Sequence, residues 1–355
     1  MSKAANEQRH PTLYKTTGDL VISATTGETT HLFRVHTVIL AEHSPVFAGM
    51  LTLPKGPGVD MQTYDGVPVV HLPDDAKDVT SLLQLLYSPG SPISKKERTF
   101  AADVYGLMSM ARKYQLDSVC ATISQSLQEQ WPSTLTAFLQ ARAEAKEMPM
   151  GPFNSTARIP PDPASVIRLA IDFDIPSVLP AAYYALSTYD ISAPPYALTA
   201  CPWPRWDLLR PEELLRYYQG KLQLSRKFSL TSSELYNTLY DDDYDACDAP
   251  VEDHDWDEQD IAESSKCRQI LANALISYAA GYPSLRSSYE AIARADPIHA
   301  LMEIYERPSS AQLCMSCYEV FKSRCRKRIE NLWENLPRTF SLGGPHHAPV
   351  PADQL

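Results

Sequence analysis

Long apolar runs are what this chain most lacks. The longest uncharged stretch, residues 269–285, is interrupted by Asn273, Gly281 and Pro283, and suits a buried helix better than a bilayer span. Ser2 to Lys15 is polar with no apolar centre, so neither an export leader nor a membrane anchor is expected. Cysteine is sparse as well. Seven cysteines in 355 residues, an odd number widely scattered, argue against a disulfide framework and for reduced thiols in the cytosol or nucleus.

A concentrated positive face is also missing. Asp241 to Asp260 carries eleven acidic residues and no Lys or Arg, which equals the whole net charge of -11 and leaves 32 acidic against 32 basic residues elsewhere. Without a basic surplus a nucleic-acid surface is not expected, because phosphate affinity needs clustered cations. Lys322, Arg324, Arg326, Lys327 and Arg328 form the one basic cluster and read as a solvated helix face. There is no Gly-x-Ser-x-Gly elbow, no His-Glu-x-x-His and no glycine loop of the kind that cradles phosphate, so no catalytic residue is assigned and no cofactor is expected.

What is present is a globular composition, 44% apolar, in a chain long enough for two folded units. The densest signal is Phe33-Arg-Val-His-Thr-Val-Ile-Leu-Ala-Glu-His-Ser-Pro-Val-Phe-Ala-Gly-Met50. Phe33 and Val35 alternate with Arg34 as on a strand, then Val35, Ile39 and Leu40 adopt helical spacing, so the period changes near His36. Ser44-Pro45 is a second helix start: the serine oxygen can accept a free amide, and proline loses nothing at the first helical position. Around this block the pattern predicts strands over 19–22, 30–35 and 67–72. Helical stripes follow at Val79, Leu82, Leu83 and Leu86, at Val104 to Ala111 and at Leu116 to Leu127. A hairpin and helix pair followed by a strand and more helices is an α+β order.

This arrangement resembles a BTB/POZ domain over residues 16–128. The positions that carry the likeness are Asp19 at the head of the first strand, Phe33, His36 and Leu40 in the strand-to-helix junction, and Ser44 and Phe47 in the next helix. Tyr64 to Leu72 and Leu332 to Pro337 are similar to a BTB group expanded in mushroom-forming fungi. The resemblance implies a protein-interaction module or scaffold, with protein partners, a possible homo-oligomer and structural roles for the signature residues. His36 is then a hydrogen-bonded structural histidine rather than a catalytic one. Two alternatives within the same class are a substrate adaptor of a cullin-3 ubiquitin ligase and a transcription-associated regulator.

Three departures from better-known BTB groups bear on these alternatives. The residue after the histidine, commonly basic in BTB transcription factors, is Thr37. Cullin-3 adaptors place a hydrophobic-x-Glu element where this chain has Leu53-Pro54-Lys55. Only Met1 to Gly18 precede the first strand expected here, which disfavours the strand-swapped long-form dimer.

The rest of the chain reads as mainly α. Residues 1–15 are expected to be a flexible N-terminus, 129–340 a helical region with an acidic, disordered insertion at 241–260, and 341–355 a tail. Val166 to Ile171 and Val178 to Leu186 suggest an antiparallel helix pair turning at Ile175-Pro176. Asp241, Asp243, Asp245 and Glu252 have the spacing of a calcium loop, but Ala246 stands where its turn needs glycine. Cys314-x-x-Cys317, with Cys325 and His299, is the best zinc candidate. Against it, Leu313, Cys317, Val320 and Phe321 share one helical stripe, so the cysteines read as small apolar residues and no metal is assigned.

Overall fold

The computed structural model describes residues 6–52, 62–88, 100–146, 161–189, 204–237, 267, 270, 296–306 and 313–342. The acidic run at 241–260, Leu53-Pro54-Lys55 and, apart from residue 270, the helix expected within 269–285 lie outside these residues.

Five strands form one mixed sheet: β1 (Asn6–Tyr14), β2 (Leu20–Thr26), β3 (Thr29–Val35), β4 (Thr63–Tyr64) and β5 (Val67–Asp75). Their order is β1-β3-β2-β5-β4. The centre of β2, Leu20 to Ala24, is buried on both faces. That explains why its apolar residues form a run rather than an alternation. Two glycine turns set the register. Gly27, at φ 58°, leads the two-residue β2–β3 hairpin, and Asp65-Gly66, at φ 48° and 77°, gives the paired positive dihedrals of a type I′ turn between β4 and β5.

Strand β1 corrects the sequence reading of a flexible N-terminus. It runs parallel to β3, pairing Asn6 with Thr29 through Arg9 with Leu32. An edge strand with Leu13 as its one fully buried residue shows no apolar alternation, so it leaves no trace in hydrophobic periodicity. Side chains anchor it instead: Arg9 and Tyr14 donate to Asp65 in the β4–β5 turn at 3.0 and 2.6 Å. A strand therefore precedes Asp19, where the sequence reading placed the first strand.

Helices α1 (Thr37–His43), α2 (Pro45–Thr52), α3 (Ala76–Tyr87), α4 (Phe100–Asp103), α5 (Tyr105–Lys113) and α6 (Asp117–Gln130) complete the first unit. Asp75 caps α3, accepting from Lys77 N–H at 2.8 Å, while its neighbour Asp74 accepts from Lys113 and from the Tyr114 hydroxyl.

The helical region follows with α7 (Leu135–Lys146), α8 (Pro163–Asp172), α9 (Leu179–Ser187) and α10 (Pro211–Asn237), then α11 (Pro297–Glu306), α12 (Met315–Glu334) and α13 (Leu336–Thr339). One cluster of buried apolar side chains extends from Leu13 to Phe340, so the two regions share a core. Helix α8 sits at its centre, buried from Pro163 to Ala170 on every side, where the periodicity suggested a single face. Arg168 is therefore buried as well. Its guanidinium is bonded to Asp172 and reaches Glu213 at 2.7 Å, while Asp172 also accepts from Tyr105 of α5 at 2.7 Å and from Arg210 at 3.2 Å. Burial alone would lower the Arg168 pKa, but its carboxylate partners outweigh this and raise it.

Within Leu332 to Pro337, Leu332, Trp333 and Leu336 pack inward. Trp333 donates its indole N–H to Ser133 O at 2.9 Å and lies 4.7 Å from the Phe138 ring, and Phe340 stacks on Tyr183. Phe340 also seals against Gly220 of α10, where an added Cβ would fall 2.0 Å from Cδ1 of that fully buried ring. Gly220→Ala should therefore destabilise the protein by about 1–3 kcal/mol, as overpacking does. A lowered urea midpoint is expected, and an unchanged one would show that Phe340 moves aside freely.

Candidate functional site

The candidate site is the junction where β3 turns into α1. Strand β3 ends at Val35, buried against β2, and the next residue, His36, is extended at φ -97° and ψ 124° and stands at the N-cap of α1. Its side chain makes no bond to the helix start. Asp19, just before β2, does so instead: Oδ1 accepts the Thr37 N–H at 2.7 Å and Oδ2 the Thr37 hydroxyl at 2.6 Å. Helix starts leave free N–H groups and a partial positive charge, and a carboxylate satisfies both. Burial works to raise the Asp19 carboxyl, but the two bonds from Thr37 prevail and hold it below the usual carboxylate range. Where a basic residue would join Asp19 in a charged pocket, Thr37 makes a neutral local cap.

His36 is half-buried and fully engaged. Its backbone N–H donates to the Tyr87 hydroxyl at 2.8 Å, Nδ1 pairs with the same hydroxyl at 2.9 Å, and Nε2 pairs with Thr17 Oγ1 at 3.0 Å. Burial raises the Tyr87 hydroxyl pKa, so the phenol stays protonated. With both ring nitrogens held by neighbouring hydroxyls, the imidazole ties the end of α3 to the end of β3. Tyr87 and Thr17 were not foreseen. Tyr87 follows the α3 stripe without belonging to it, and a hydroxyl leaves no periodic signal.

Ser44 serves two helices. Its N–H donates to Leu40 O at 3.0 Å, closing α1, and its buried Oγ accepts the Phe47 N–H at 3.1 Å, opening α2. That hydroxyl also donates to Tyr114 O at 2.6 Å. The Phe47 ring stacks on Tyr114 with centroids 4.4 Å apart and planes 6° from parallel. Phe33 and Leu40 are completely buried beneath this layer. Thus Asp19, His36 and Ser44 each spend their polar atoms inside the junction, while Val38, in the first turn of α1, stays 67% exposed.

The four residues weighed for zinc do not come together. Cys325 is buried two turns further along α12 than Cys317, and burial pushes its thiol up to about 12. His299 lies in the first turn of α11, its N–H donating to Asp296 Oδ1 at 3.1 Å. Cys314 and Cys317 meet Cys267 instead, with all three Sγ atoms within 4.8 Å of one another. A lone cysteine distant in sequence has no spacing signal to reveal it.

Comparison with known families supplies the class. Residues 6–130 match the family model of the BTB/POZ domain, beginning at β1 and ending with α6. This part of the chain is a BTB/POZ domain, a protein-interaction module, and a helical region follows it. No curated protein and no solved structure matches the chain. Among the described residues, no helix is long and apolar enough to cross a membrane.

Removal of the cap tests the junction. Asp19→Ala should cost about 1 kcal/mol at neutral pH, and Asp19→Asn less, since it keeps one acceptor. Because the folded carboxyl titrates below its unfolded value of about 3.9, its contribution is complete above that pH and fades as pH falls through the folded value. Urea midpoints taken across this range should converge in acid. A gap that persists there, or no gap at neutral pH, would rule out the cap.

Proposed function

We propose that this protein is a non-enzymatic scaffold. Its BTB/POZ domain offers a docking surface to a protein partner or a second copy of the chain, and the helical region serves as a firmly attached second surface. The observation that carries the reading is the commitment of every polar signature group, Asp19, His36 and Ser44, to hydrogen bonds within the chain, at a junction where the apolar Val38 is exposed. Groups consumed by internal hydrogen bonds are positioned to build a surface, not to transfer protons. Asp19, Phe33, His36, Leu40, Ser44 and Phe47 are structural residues on this account. The likeness of Tyr64 to Leu72 and of Leu332 to Pro337 to the expanded fungal group suggests the lineage, and a reduced cytosolic or nuclear setting suits the scattered thiols.

The neutral Thr37 cap weighs against the charged pocket of a transcription-factor BTB domain. Oligomeric state and partner capture are the direct test, using the whole chain and Val38→Glu, which alters an exposed position without touching the core. The expected result is loss of self-association or of a specific protein partner at an unchanged melting temperature. Recovery of cullin-3 with the intact chain would assign the adaptor role in place of a plain scaffold. Turnover of a substrate that His36→Gln abolishes while the fold survives would overturn the reading.

A further inference from the structure

We propose that Cys267, Cys314 and Cys317 form a zinc site with three thiolate ligands, its fourth position taken by water or an exchangeable ligand. The three sulfurs come from two distant parts of the chain, yet every pair lies within 4.8 Å. Three thiolates bound to tetrahedral zinc at about 2.3 Å sit about 3.8 Å apart, so closing the site takes a shift of no more than about 1 Å.

The local structure favours this chemistry. Cys314 is the N-cap of α12 and Cys317 lies in its first turn, so both occupy the start of a 20-residue helix. Free N–H groups and the positive end of the helix dipole stabilise thiolate over thiol there. Cys267 and Cys317 are buried and Cys314 is half-buried, which places two ligands in the core and the third towards solvent, where an ion can enter. As each Zn–S bond forms, the thiol proton passes to solvent. Soft thiolate donors without a carboxylate in the set suit zinc rather than magnesium or calcium. The ion would pin residue 267 to the start of α12.

The competing account treats the three cysteines as ordinary core residues beside Leu313 and Phe321. The two accounts separate on metal content. The reduced full-length chain, titrated with Zn²⁺ and then with Co²⁺, should take up a stoichiometric amount and show the charge-transfer absorption of thiolate-bound cobalt. Cys314→Ser should lose most of that uptake, and Cys325→Ser, on the same helix but outside the cluster, should keep all of it. Added zinc should raise the melting temperature of the parent chain and of Cys325→Ser, but not of Cys314→Ser. If Cys317→Ser fails to fold, the half-exposed Cys314 position decides the matter. A reduced, folded parent chain that binds neither ion, or a Cys314→Ser variant that binds as much as the parent, overturns the site.

Discussion

The exit of the chain from β3 creates a helix start that cannot cap itself, and the rest of the BTB platform depends on how that start is satisfied. His36 is committed to Tyr87 and Thr17, so the free amide of Thr37 is met by Asp19, from eighteen residues earlier. One carboxylate thereby fixes the angle between β2 and α1. Ser44 then closes α1 and opens α2 with a single hydroxyl, and Phe47 is delivered onto Tyr114. Each step places a polar group that would be costly to bury unpaired beside the partner it needs.

The second constraint is the burial of α8. A helix enclosed on all sides cannot keep a charged residue unless its partners are enclosed with it, and Arg168 has Asp172 and Glu213 within reach. Tyr105 joins the same carboxylate from α5, so the network crosses from the BTB domain into the helical region. Buried ion pairs of this kind add little net stability, because desolvation offsets attraction. They do penalise any other arrangement, since a slipped helix would strand a charge. The helical region is thereby held at a defined orientation to the BTB domain.

The conspicuous histidine is a strut between α3 and β3, and the conspicuous serine is a cap. The thiol cluster stands apart, at the start of α12. It brings together residues from two separated stretches, as a structural metal would.

Strands β2, β3 and β5, the α3, α5 and α6 stripes and the Ser44-Pro45 start could be read from the chain alone because each is a local pattern, set by the period of burial or by the chemistry of a cap. The β2–β3 hairpin was legible for the same reason, through Gly27, whereas the Asp65-Gly66 turn and the two-residue β4 before it were not. Strand β1 was not, because its partners lie in β3 and in the Asp65 turn and its own residues are mostly exposed. Nor was the exchange of Cys325 and His299 for Cys267, or the burial of Arg168 inside an apparent one-sided helix. The amino-acid order by itself determined the local elements and the class of domain. Tertiary structure alone decided which distant polar and sulfur atoms meet, because those meetings depend on how buried elements cross, and no periodicity in one segment encodes the position of another.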